Sequence, residues 1–204
     1  MNSIILTGAN RGLGKEVHDL LVSEKLSQTN CYFISRKPVK NPETSFKYFL
    51  MDFSEVDRIK LRVDVDPSSE GVFFINNAGT IDPIGKAKDI SISDMEYALR
   101  VNCVGPLTFA QHLVVRTKEI GARLFILNVS SGAARHPVQG WMAYCVSKAA
   151  AVMALDVLAS ENEHVEVVHF DPGVIDTDMQ KVIRTQSSDV MPDISKFQRL
   201  KEDQ

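Results

Sequence analysis

Six short apolar runs punctuate the chain: SIILTG from Ser3, CYFISR from Cys31, FKYFLMDF from Phe46, GVFFINNAG from Gly71, RLFILNVSS from Arg123 and VEVVHFDPG from Val165. They are near-continuous rather than alternating, which is the pattern of strands buried on both faces. Between them lie the helical stretches LGKEVHDLLVSEKL, ISDMEYALRVNCVGPLTFAQHLVVRTKEI and YCVSKAAAVMALDVLASEN. In the long middle stretch Ser93 is the expected N-terminal cap and Pro106 marks a local irregularity. Strands joined through helices require crossover connections, hence a parallel sheet with helices on both faces. No repeat, low-complexity tract or linker interrupts the pattern. The expectation is an α/β, doubly wound, Rossmann-type sheet in one domain over residues 1–204.

A chain of 204 residues is long enough for one substantial core, and 44% hydrophobic with 24% charged residues is ordinary for a globular protein. A net charge of −3 offers no general attraction to nucleic acid or to an anionic membrane surface. No apolar run approaches the ~20 residues of a membrane span, and MNSIILTGAN lacks the parts of a secretory signal. Cys31, Cys103 and Cys145 are odd in number and widely spaced, and the five histidines show no metal-ligand spacing. These features lead to the expectation of a cytoplasmic protein with no structural metal, no nucleic-acid partner and no membrane partner.

Open parallel sheets bind ligands at the carboxyl ends of their strands, and the unusual residues gather there. TGANRGLG places Gly8, Gly12 and Gly14 between the first strand and the first helix. Glycines allow the tight turn and let backbone amides approach a pyrophosphate at a helix N-terminus, where the dipole favours anions. Asn10, Arg11 and Leu13 share that turn and join the expected cofactor contacts. After the second strand an acidic residue would suit the ribose of NAD, but the chain reads Ser35, Arg36, Lys37. Arg11 and Arg36 converging on a 2′-phosphate point to NADP(H); the alternative is a basic, solvated loop.

These segments, with NNAG at 76–79, Asn102, Ser131, YCVSK at 144–148 and PGVIDT at 172–177, resemble the short-chain dehydrogenase/reductase family in the family's order over nearly the whole chain. GWMAYCVSKAA and PGVIDTDMQ are most similar to the corresponding parts of sepiapterin reductases and microbial benzil reductases. The resemblance implies that Asn77, Ala78 and Gly79 pass beneath the cofactor riboses, although the Asn77 amide could instead bridge strands. It implies that Asp52 lies near the adenine, and that Pro172, Gly173, Val174 and Thr177 border the nicotinamide. It also implies a catalytic set of Asn102, Ser131, Tyr144 and Lys148, with Asn102 helping to hold Lys148 and a water.

Residues four apart share a helix face, so Tyr144 and Lys148 would stand side by side. A free phenol has a pKa of about 10, and a neighbouring ammonium, with the positive charge of oxidised nicotinamide, is expected to lower it. Tyr144 would then protonate a substrate carbonyl whose oxygen Ser131 holds, with Ser130 structural; the resemblance implies that Lys148 also grips the nicotinamide ribose. Two readings of Trp141 are open: a wall of an aromatic substrate pocket, or an anchor for its loop.

The expected activity is NADPH-dependent reduction of a small aromatic ketone or diketone. The alternative is an NADP(H)-binding protein with little turnover, because the family's C-terminal helix and strand have no counterpart after PGVIDTDM. The apolar run AAAVMALDVLA needs more cover than one sheet face gives. With the family's four-helix subunit contact in view, it implies a homodimer built through Ala150, Ala151 and Ala154.

Overall fold

The computed structural model describes residues 1–55 and 63–199. Strands β1 (Asn2–Thr7), β2 (Thr29–Ser35), β3 (Lys47–Leu50), β4 (Gly71–Asn76), β5 (Arg123–Val129) and β6 (Val165–Phe170) form one parallel sheet in the order β3-β2-β1-β4-β5-β6. The order reverses between β1 and β4, which leaves a crevice at their carboxyl ends. β3 stops at Leu50, earlier than FKYFLMDF suggests.

Helix α1 (Gly12–Glu24) covers one face, where Val17, Leu21 and Val22 pack on Leu6, Cys31 and Phe33. His18 is buried here with both ring nitrogens engaged, one near Asp19 and one near the Tyr48 hydroxyl, so it needs no functional explanation. On the opposite face lie α2 (Ile92–Leu99), α3 (Gly105–Ile120) and α4 (Met142–Ser160). There Phe109, Leu113, Leu155 and Leu158 close over Ile5, Phe74, Leu124 and Ile126. Each such side chain taken fully out of water stabilises the fold by roughly 1.5–3 kcal/mol.

Three expectations need correction. The apolar runs read as strands covered on both faces, but α1 covers mainly the β1, β2 and β3 half of its face. The register Ile4↔Phe73↔Phe125 continues that face onto β4 and β5, and Leu127↔Val168 carries it to β6. On this half Phe73, Leu127, Val168 and Phe170 are exposed. Ser91, not Ser93, caps α2: its hydroxyl accepts from the Asp94 N–H at 3.1 Å, and Ser93 bonds only sideways to it. The irregularity placed at Pro106 lies just before it, in a π-helical turn over Arg100–Val104 that joins α2 to α3. Proline near a helix start loses no intrahelical bond, so it sits comfortably after that turn.

Beyond β6 the chain forms two short helices that the sequence reading did not anticipate, α5 (Asp178–Arg184) and α6 (Ile194–Arg199). Ile183, Met191 and Ile194 from this segment bury against Trp141, Tyr144 and Ile81.

Candidate active site

The carboxyl ends of the strands open into one cavity of about 710 Å³. Gly8, Asn10, Arg11, Gly12, Leu13, Gly14, Arg36, Asp52, Asn77, Ala78, Gly79, Pro172, Gly173, Val174 and Thr177 all line it, together with Ser131, Tyr144 and Lys148. Asn102 does not: it stands behind Gly79.

Thr7 staples the crevice. Its hydroxyl accepts from the Asn77 and Ala78 N–H groups at 3.0 and 3.1 Å, while the Asn77 side chain donates to the Thr7 carbonyl at 2.9 Å. Of the two roles read for Asn77, strand bridging is the one its amide performs. The glycine turn packs tightly against this staple. A Cβ on Gly14 would fall 2.2 Å from the Gly8 carbonyl oxygen and 2.4 Å from the Asn77 amide nitrogen. α1 starts at Arg11 without a side-chain cap, leaving its first-turn N–H groups available to an anion. A glycine cradle, an uncapped helix start and two flanking guanidiniums fit a dinucleotide phosphate chain.

At the outer end, Arg36 donates to the Tyr97 hydroxyl at 3.2 Å, a partner the sequence reading missed. Arg11 acts electrostatically on Asp178 at the start of α5. One oxygen of Asp52 accepts from the Ser54 N–H and hydroxyl at 2.9 and 2.7 Å. Thr177 immediately precedes α5, and a Cβ on Gly12 would lie 3.4 Å from its methyl.

At the inner end Tyr144 and Lys148 are both buried on α4. The Lys148 ammonium donates to the Val129 carbonyl at 2.8 Å and lies 5.8 Å from the Tyr144 ring centre. Burial pulls the Lys148 ammonium down to about 8. Burial pushes the Tyr144 phenol up to about 12; the nearby Ser131 side chain acts against the rise and the Asp171 carboxylate adds to it. The expectation that Lys148 lowers this phenol is therefore not met in the free chain. Loss of water from the phenol is the largest cause of its rise, and Lys148 is not among the groups that shift it. Ser131 also accepts from the Ala133 N–H at 3.2 Å, capping a short turn over Gly132–Ala134. Ser130 is buried, with its N–H on the Phe170 carbonyl at 2.7 Å.

Asn102 acts on the backbone instead of on Lys148. Its oxygen accepts from the Thr80 N–H at 2.8 Å, and its nitrogen donates to the Thr80 carbonyl and the Ser147 hydroxyl, both at 2.9 Å. A Cβ on Gly79 would lie 3.2 Å from that oxygen and 3.8 Å from the Lys148 nitrogen, so both residues face the same glycine.

Trp141 lines the cavity and is anchored in its loop, the second of the two readings. Its ring meets Tyr144 edge-on at 5.7 Å and Phe197 at 5.2 Å, and its N–H is committed to the Met191 sulfur at 3.3 Å. Gln180, Ile183 and Phe197 also line the cavity and were not singled out from the sequence. The signal for α5 was present: Thr177 before an acidic first turn, with Met179 and Ile183 at helical spacing.

The profile of the family described as short chain dehydrogenase matches residues 2–188. A benzil reductase ((S)-benzoin forming) from Bacillus subtilis is 31% identical over 99% of this chain and 86% of its own length. A sepiapterin reductase from Xenopus tropicalis is 29% identical over 95% of this chain and 80% of its own. Among solved structures, a short chain dehydrogenase/reductase from Saccharomyces cerevisiae superposes with a TM-score of 0.82 at 25% identity, covering 100% of this chain and 83% of that one. The enzyme KRED1-Pglu gives 0.85 at 25% identity, covering 100% and 88%. A match running from β1 past α5, with relatives aligned along nearly all of the chain, places this protein in the short-chain dehydrogenase/reductase family.

Proposed function

We propose that the protein is an NADPH-dependent reductase of small aromatic ketones or diketones. The observation that carries this reading is Tyr144, lining with Ser131 and Lys148, and beside Trp141, the cavity whose far end holds the glycine turn. The similarity to benzil and sepiapterin reductases supports the substrate class. A reduced nicotinamide held by Lys148 and the Pro172–Thr177 segment would supply the hydride. Tyr144 gives the proton to the carbonyl oxygen, and Ser131 hydrogen-bonds that oxygen where negative charge develops. A phenol held above its usual pKa is protonated at neutral pH, which suits a donor to a nascent alkoxide. α5 and α6 give the substrate side apolar walls, which favours turnover over cofactor binding alone.

Arg11 and Arg36, with no acid nearby after β2, favour NADPH over NADH. A charge-assisted hydrogen bond contributes roughly 1.5–3 kcal/mol, so Arg36→Asp should weaken NADPH binding about 10–100-fold. The test is turnover of benzil, 1-phenyl-1,2-propanedione and sepiapterin with each cofactor, alongside both dissociation constants. Equal affinity for NADPH and NADH, or no reduction of any of the three, overturns the reading.

A further inference from the structure

Gln180 on α5 is out of place by ordinary packing rules. It is 8% exposed, and its carboxamide oxygen is shielded from solvent with no hydrogen-bond partner among the described residues. Buried polar atoms are nearly always paired; this oxygen is turned away from the cavity that Gln180 lines, and a half-turn of the terminal amide would bring it round to an occupant there. The residue lines the same cavity as Tyr144 and Trp141, on the face of α5 that carries Met179 and Ile183, with Phe197 following on α6; the charged residues of α5, Asp178, Lys181 and Arg184, lie off that apolar cluster. The neighbouring indole N–H is already committed to Met191. Asp82, His136, Asp171 and Asp178 also line the cavity, but they are exposed, where water competes for them.

We infer that Gln180 is a substrate-recognition residue that reads a lactam or amide edge on the aromatic carbonyl substrate. A primary carboxamide presents an acceptor and two donors side by side, which matches a cis-amide N–H and C=O in a ring. Its terminal torsion is soft and roughly two-fold, so the amide can turn to meet either group without a change of backbone. A substrate lacking the N–H leaves the glutamine oxygen unpaired in the complex as it is in the free chain. Specificity then follows from a penalty on the wrong ligand as much as from a gain on the right one.

This inference rests on the aromatic carbonyl reductase reading and narrows its substrate. Isatin and N-methylisatin test it, since both are aromatic α-dicarbonyl compounds and they differ in the lactam N–H. Binding is read without turnover, from quenching of Trp141, the only tryptophan, in the presence of NADP⁺. Reduction is read separately as kcat/KM with NADPH. Isatin should be preferred about 10–100-fold, the span of one hydrogen bond to a buried group. Gln180→Met, an unbranched replacement of similar volume, should bring the ratio close to one and leave the melting temperature equal or higher.

Equal binding of the two compounds by the parent protein overturns the inference. So does a preference that persists undiminished in Gln180→Met, because it then comes from exclusion of the methyl group. Selective isatin binding that Gln180→Met removes supports it even where neither compound is reduced, and that outcome counts against the reductase reading alone.

Discussion

Lys148 places an ammonium in the interior with the Val129 carbonyl as acceptor, and its pKa falls from 10.5 to about 8. Below about pH 8 the folded chain carries this charge and its full desolvation penalty. Between about 8 and 10.5 the unfolded chain binds the proton more tightly than the folded one, so stability rises with pH. Above 10.5 both states are neutral at this position and the penalty is gone. Lys148→Met should therefore make the cofactor-free protein more stable at pH 7, by about 1–3 kcal/mol once the lost hydrogen bond is counted. Denaturant unfolding at pH 7 and 10 measures it: the gain should shrink at the higher pH, and a variant less stable than the parent at pH 7 refutes the account. The same substitution should weaken cofactor binding. Tyr144→Phe separates the other role: reduction should drop roughly 10²–10⁴-fold with NADPH affinity largely kept. Retention of most of the turnover would show that another group supplies the proton.

The element that most affects the geometry of the site is the π turn over Arg100–Val104. A wider turn inside a helical run displaces the residues after it, and this one holds Asn102 against the Thr80 backbone while α3 goes on to cover the sheet. Both halves of the Asn102 amide are used, so Asn102→Leu would orphan the N–H and carbonyl of Thr80 and free the loop after β4. The expected cost is about 1–3 kcal/mol of stability. Activity should fall through a looser Gly79 backbone and not through loss of a proton carrier, so the pH profile should keep its shape; a moved limb would restore Asn102 to the relay. Much of this was legible beforehand. Apolar runs ending in polar residues fixed the strands and the edge that binds ligands, and the glycine and Tyr-x-x-x-Lys spacings placed both ends of the cavity. What escaped were relations that no local pattern encodes. Arg36 meeting Tyr97 and Trp141 meeting Met191 join residues 61 and 50 positions apart. The Tyr144 pKa depends on how much water the fold removes, which residue types alone do not specify. The cap moved by two residues because the backbone, not the composition of the SISD segment, decides which serine is first.

At the scale of the whole molecule, two apolar surfaces stand open and they make competing claims on a partner subunit. One runs along α4 and α3. Val146, Met153 and Val157 are exposed on α4, Val115 on α3 and Val104 at the end of the π turn before it, with Ala150 and Ala154 half-buried on α4. Ala151, expected at this contact, is instead packed inward at 3% exposure, because the helix turns that position toward the sheet. Asp156, the one polar residue of the AAAVMALDVLA run, points to His169 at 2.9 Å and leaves the stripe uncharged. The other surface is the half of the sheet face that α1 does not reach, where Val168 is 61% exposed. The helical stripe is the better candidate for a homodimer contact: side chains at i, i+4 and i+7 form a continuous ridge, and small residues let a second helix approach closely. We therefore expect a dimer at micromolar concentration by light scattering. Ala154→Arg sets a charge within the ridge and should give a monomer that still binds NADPH, whereas Val168→Lys should remain dimeric. A parent that is monomeric, or a dimer that Val168→Lys breaks and Ala154→Arg does not, removes the helical interface from consideration.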